Sequence, residues 1–134
     1  MVFTSINIVL PSLSIAIIST GPLEPAFKNN GTVTAGNSSG LNDGAAAMLI
    51  ASELAINKYG LQPLARIVDS AVIGVEPRTM GMGPVQASNK VLKKTGLTMD
   101  EMDIIEINEA IAAQKLACKR EWGLEDDDQT INPN

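Results

Sequence analysis

The sequence predicts an α/β fold, slender helices packed closely on a sheet, from its apolar composition and from its alternation of runs. Almost half of the 134 residues are apolar, yet only Phe3, Phe27, Tyr59 and Trp122 are aromatic, so Ala, Ile, Val, Leu, Met and abundant Gly must build the core. Small side chains let helices approach a sheet more tightly than an all-β sandwich requires. The runs Ala65–Val75 and Met102–Ile107 are rich in β-branched residues and read as strands, and helix-periodic stretches lie between and after them. The length suffices for one domain with a real core.

Residues 1 to 20 form an apolar run that resembles a signal-peptide core, but no Lys or Arg precedes it and no convincing cleavage site follows. Pro11 and several serines interrupt it, and it is too short to span a membrane comfortably. It reads as a packed strand or helix, or as a stretch outside the fold. Residues 21 to 44 are punctuated by turns. Asn30-Gly31 predicts a tight turn with positive φ, and Gly36-Asn37-Ser38-Ser39-Gly40 predicts a loop that a ligand or another backbone can approach. That loop is an ordinary connection or a cradle for phosphate. No P-loop lysine and no Gly-x-Gly-x-x-Gly pattern supports a nucleotide.

A helix is expected from Asp43 to Tyr59, stopped by Gly60, and Leu61-Gln62-Pro63 reads as a boundary between two halves. After the strand at 65–75 comes a Pro/Gly loop through Pro84, which opens a second helix ending at Gly96. Lys90, Lys93 and Lys94 form its solvated face. The strand Met102–Ile107 then feeds a helix from Glu109 to about Trp122, expected to be largely buried. Asn108 at this junction is a helix cap or a functional carboxamide, since strand ends entering helices are where open α/β sheets place chemistry. Cys118 reads as a small core residue, and Glu125–Asp128 as an acidic loop without metal-loop spacing.

Charge and composition also exclude functions. A net charge of −5 without a basic stripe argues against a nucleic-acid partner. It gives no overall attraction for an anionic substrate, so binding must rest on local groups. A single cysteine leaves no internal disulfide and fits a reducing, cytoplasmic compartment. The chain has no histidine, so neither a Ser-His or Cys-His pair nor a histidine-containing zinc site can be built from it alone.

Three blocks carry a resemblance: Gly31 through Ala47, Met80-Gly81-Met82-Gly83-Pro84-Val85, and Asn108-Glu109-Ala110-Ile111-Ala112-Ala113-Gln114. In this order they resemble the thiolase family of acyl-CoA acetyltransferases, over residues 23 to 134. The resemblance implies a partial thiolase fold. Residues 1–22 lie outside it, 23–60 would end the N-terminal domain, and 61–134 would begin the C-terminal domain. It implies thiolysis or Claisen condensation of acyl-CoA thioesters through a nucleophilic cysteine, a second cysteine, a histidine and paired oxyanion holes. Coenzyme A thioester is then the substrate, no cofactor or metal is needed, and family assemblies are homodimers or homotetramers. Asn108 would hold the water that completes the enolate oxyanion hole. Ser39 and Ala110 would lie along the pantetheine arm, Phe27 and Met80 would line that tunnel, and Leu41 would neighbour it.

Two departures qualify what the resemblance implies. Ile111 stands where the family usually has Phe, which removes an aromatic face from the pocket. The family's nucleophile and its Gly-His-Pro histidine have no counterpart here, and Cys118 matches neither family cysteine. The chain therefore reads as a middle piece that is inactive alone. Its alternatives are a non-catalytic acyl-CoA or protein-binding module, half of a split thiolase, or a gene remnant. The Glu76-Pro77-Arg78 loop and Asn132-Pro133-Asn134 lean toward catabolic members, including those acting on β-ketoadipyl-CoA, over the biosynthetic type.

Overall fold

The computed structural model describes residues 23–133; the apolar run at residues 1 to 20 lies outside them. Three α-helices follow one another: α1 at Glu53–Tyr59, α2 at Gly83–Thr95 and α3 at Ala112–Glu121. One 3-10 turn precedes them, at Ala35–Asn37, and two lie between them, at Pro77–Met82 and Met99–Glu101.

Both first helices end by one device. Gly60 (φ 62°) and Gly96 (φ 71°) sit in the left-handed region, and each donates its N–H to the carbonyl four residues back, Ile56 or Leu92. The next residue, Leu61 or Leu97, donates to that same carbonyl. A Cβ strains this conformation, so glycine is the residue that fits it. Pro84 lies in the first turn of α2, where its missing N–H costs nothing. The turn expected at Asn30-Gly31 forms, with Asn30 carrying the positive φ of 58° and Gly31 donating to the Lys28 carbonyl at 2.8 Å.

Several elements differ from expectation. The first helix starts at Glu53 rather than Asp43, where the Ser52 hydroxyl accepts from Ala55 N–H at 3.3 Å. Upstream, Met48, Leu49 and Ile50 are exposed, so no tertiary surface compensates the cost of nucleating further turns. The two expected strands form no ladder among the described residues. Single rungs exist instead, parallel at Ile105–Ile131 and antiparallel at Ser38–Ile111. A strand is defined by its partner, and residues 65–75 pair with none among the described residues. That run is tethered by lysines of α2: Lys94 Nζ meets Asp69 Oδ1 at 2.5 Å and the Ser70 carbonyl at 3.1 Å, and Lys90 Nζ donates to the Val72 carbonyl at 2.9 Å. Two of the three lysines expected only to face solvent thus hold a chain segment.

The core is small. Val85 of α2, Ile107, Cys118 of α3 and Ile131 are buried together, with Met82, Ile105, Trp122 and Leu124 packed against them. Gly81 lets the 77–82 turn come close to α3, since a Cβ there would stand 3.3 Å from Gln114 Cγ. The Cys118 thiol donates to the Gly81 carbonyl at 3.5 Å, and Trp122 Nε1 donates to Ser88 Oγ at 3.1 Å, fastening α3 to α2. Helix α3 is less buried than expected. Only Cys118 and Lys119 are fully covered, because α2 and the 77–82 turn meet it on one side. The Lys119 ammonium, 2% exposed, donates to the carbonyls of Asp126 at 3.0 Å and Asp128 at 3.5 Å, so the acidic loop wraps a cation.

Candidate active site

The segment from Ile107 to Ile111 is where distant parts of the chain meet. A seam joins it to the Gly/Ser loop. Ser39 N–H donates to the Ala110 carbonyl at 2.8 Å, Ser39 Oγ donates to the Glu109 carbonyl at 2.8 Å, and the Ser38–Ile111 rung continues the pairing.

The loop arrives at this seam already shaped. Thr34 and Asn37 cap each other, with Asn37 Oδ1 accepting from Thr34 N–H at 2.8 Å and Thr34 Oγ1 from Gly36 N–H at 3.3 Å. Asn37 Nδ2 reaches back to the Thr32 carbonyl at 2.8 Å, and Ser38 Oγ to the Thr34 carbonyl at 2.8 Å. Gly36 permits the close pass of Leu23, whose Cδ1 would lie 2.6 Å from any Cβ added there. Beside the seam is a depression of about 340 Å³ lined by Gly36, Asn37, Ser38, Ser39, Glu109 and Ala112. Glu109 at its edge pairs with Lys115 at 2.5 Å.

Asn108 is exposed and its side chain makes no hydrogen bond among the described residues. Its backbone is held on both sides. Its carbonyl accepts from Ala110 N–H at 3.0 Å, closing a three-residue turn around Glu109. Before it, Ile107 is gripped by the Asn132 carboxamide: Ile107 N–H donates to Asn132 Oδ1 at 2.8 Å, and Asn132 Nδ2 donates to the Ile107 carbonyl at 2.9 Å. The capping reading of Asn108 is corrected here. The cap position of α3 is Ile111, three residues on, and no side chain caps that helix. A free carboxamide between two fixed peptides can hold water or donate to an oxygen without titrating.

The structure brings Ser39, Ala110 and Asn108 to one seam. Phe27 lies at a separate depression of about 320 Å³ with Lys28, Asn30, Gly31, Thr32 and Val33. Leu41 is fully exposed and Met80, in the 77–82 turn, largely so. Cys118 is no candidate nucleophile, since it is fully buried and burial pushes its thiol pKa up. Sequence reasoning missed Asn132 and Lys119. The only signal for Asn132 was an Asn directly before Pro133, a dipeptide that favours turns; nothing in a helix-face lysine announces burial.

Comparison with known proteins gives the family and the fold. The family model for the thiolase N-terminal domain matches residues 17–54, and that for the thiolase C-terminal domain matches residues 61–134. The chain is 52% identical over 124 residues to a β-ketoadipyl-CoA thiolase of Acinetobacter baylyi, covering 92% of this chain and 31% of that protein. Human mitochondrial 3-ketoacyl-CoA thiolase, solved in complex with CoA, superposes with a TM-score of 0.77 at 51% identity, covering 82% of this chain and 27% of that one. The dimeric peroxisomal thiolase of Saccharomyces cerevisiae gives a TM-score of 0.76 at 45% identity, over 83% and 28%. The chain thus spans about 31% of the length of the curated relative, and its fold is a part of the α/β fold these structures share. With both domain models matched in order across the seam, the chain belongs to the thiolase family.

Proposed function

We propose that this chain is part of a thiolase-type acyltransferase, acting on acyl-CoA thioesters by thiolysis or Claisen condensation, and that its share of the site is Asn108 with the Ser39–Ala110 seam. The observation that carries this is the meeting of Ser39, Glu109 and Ala110 directly beside a carboxamide left free. Removing the α-proton of a thioester puts negative charge on its oxygen. That charge needs donors fixed at about 2.7–3.1 Å, and losing one costs about 10²–10³ in rate. Asn108 supplies such a donor, through a held water, at any pH. The seam borders an open depression that would take the pantetheine arm, while Phe27, Met80 and Leu41 would serve it further along. The 134 residues hold no histidine, and their one cysteine is buried, so nucleophile and base come from outside them.

Titration of the labelled chain with acetyl-CoA, followed by NMR, tests this. The amides of Ser39, Ala110 and Glu109 should shift, and Ser39→Trp should weaken binding at least about tenfold. Shifts confined to other residues would refute the site. Thiolysis of acetoacetyl-CoA by the purified chain alone, host thiolase excluded, would refute the external nucleophile and base.

One observation favours a second role, as half of a split thiolase. Leu41, Leu49, Leu54, Leu64 and Val72 are exposed, more apolar surface than a monomer ordinarily leaves uncovered. Co-expression with a polypeptide carrying the missing cysteines and histidine should restore turnover, and Asn108→Ala in the chain should lower it by about 10²–10³. An assembled enzyme would be a dimer, like the yeast relative, or a tetramer.

A further inference from the structure

We propose that Asn132 is the positioning residue for Asn108, a side-chain amide that replaces one rung of a parallel ladder. The inference rests on the oxyanion reading of Asn108 for its catalytic meaning, and on the bonds around Ile107 for its substance. Ile105 N–H donates to the Thr130 carbonyl at 2.9 Å, and Asn132 N–H donates to the Ile105 carbonyl at 2.9 Å, which is the pattern of one parallel rung. The next rung would need the Asn132 carbonyl and a backbone N–H beyond it, both directed at Ile107. The Asn132 backbone leaves that course. Asn132 turns away into the left-handed region (φ 48°), and Pro133 follows it. The Asn132 carboxamide takes over, its Oδ1 accepting from Ile107 N–H and its Nδ2 donating to the Ile107 carbonyl.

A carboxamide has the same donor and acceptor pair as a peptide group, and Asn is among the few side chains that tolerate this φ. Both polar groups of the residue before Asn108 are therefore fixed by one side chain 25 positions away. Ile107 is buried and both bonds are partly covered, which shields the pair from exchange with bulk water. The direction of the Asn108 Cα–Cβ bond follows from that grip and from the turn closed by Ala110. Asn132 is held in turn by the loop that wraps Lys119, since Asp128 Oδ1 accepts from Thr130 N–H at 2.8 Å.

The test uses the full chain, free of ligand, with ¹⁵N relaxation and amide exchange. Asn132→Gly keeps the left-handed backbone and removes the amide. It should speed exchange at Ile107 about tenfold and lower the Asn108 backbone order parameter from the rigid value near ~0.85 toward ~0.6. Amides in the middle of α2 should stay protected. Asn132→Asp keeps the acceptor and should retain protection at Ile107 within about threefold, a partial rescue. Unchanged exchange at Ile107 in Asn132→Gly overturns the proposal. So does deprotection of Ile107 that leaves Asn108 rigid, and so does loss of protection spreading through α2, because either makes Asn132 structural only. The catalytic reading is tested apart from this, by the loss of turnover in Asn108→Ala after complementation, where Asn132 is unaltered.

Discussion

From Pro77 to Asn132 almost every turn is fastened to a distant one, whereas from Leu41 to Ile73 the chain has apolar side chains in plenty and little to press them against. The first region holds Val85, Ile107, Cys118 and Ile131 in one cluster, tied by the Trp122–Ser88 bond and by Lys119 in its carbonyl cradle. The second exposes Leu41, Leu49, Leu54 and Leu64, and lysines of α2 reach it through its backbone and Asp69. The second region is the richer in apolar residues, so what it lacks is partners rather than hydrophobic side chains. A β-branched run stabilises a sheet only where a neighbouring strand takes up its N–H and C=O groups.

The largest effects should come from equal deletions made on the two sides. Ile107→Ala leaves a cavity in the cluster and should cost about 2–4 kcal/mol in urea unfolding, enough to unfold a marginal chain. Leu64→Ala removes an equally large side chain from the other region and should change stability by less than about 0.5 kcal/mol. A comparable loss at both positions would erase the distinction. Lys119→Met comes next. It keeps the buried stem but leaves the carbonyls of Asp126 and Asp128 without the ammonium, and should cost about 1–3 kcal/mol, with faster proteolysis at 125–128.

The helix ends sharpen the contrast. Gly96→Ala should lower the stability of the fastened region by about 1–2 kcal/mol, because φ is 71° there. Gly60→Ala carries the same strain but sits on α1, which has no buried residue, so it should fray that helix in circular dichroism and leave the urea midpoint in place. The smallest effect is with pH. The Lys94 ammonium and then the Ser70 N–H hold Asp69 below its ordinary pKa. Arg120 does so for Asp126, and the Thr130 hydroxyl followed by its N–H for Asp128. Each carboxylate therefore contributes stability above the ordinary Asp value, near about pH 4, and that contribution is lost as pH falls through the lower folded-state value. NMR at descending pH should show 69–72 and 125–130 loosening below about pH 4 while the core cluster persists.

What the sequence revealed, and what it concealed, follows the same division. Gly60, Gly96 and Pro84 marked helix ends because those positions depend on one residue's φ or on one missing N–H, properties a single letter carries. Cys118 was legible as a core residue for its size. The pairing of the runs at 65–75 and 102–107 was not: both read as strands yet form no ladder among the described residues, and nothing near Ile105 predicts its single rung with Ile131. Asn108 was legible as a residue of interest at a strand-to-helix junction, but as a cap it was misread, since the helix begins at Ala112. Asn132 was read only as a mark of catabolic members, for its structural importance lies in where its amide reaches.

The thiol of Cys118 is the only one in the chain and has 0% exposure, with its proton directed at the Gly81 carbonyl. A thiol reagent can react with it only when α3 parts from the 77–82 turn. The chain thus carries an intrinsic clock for its own opening, in which the rate of thiol modification measures how often the fastened region comes undone.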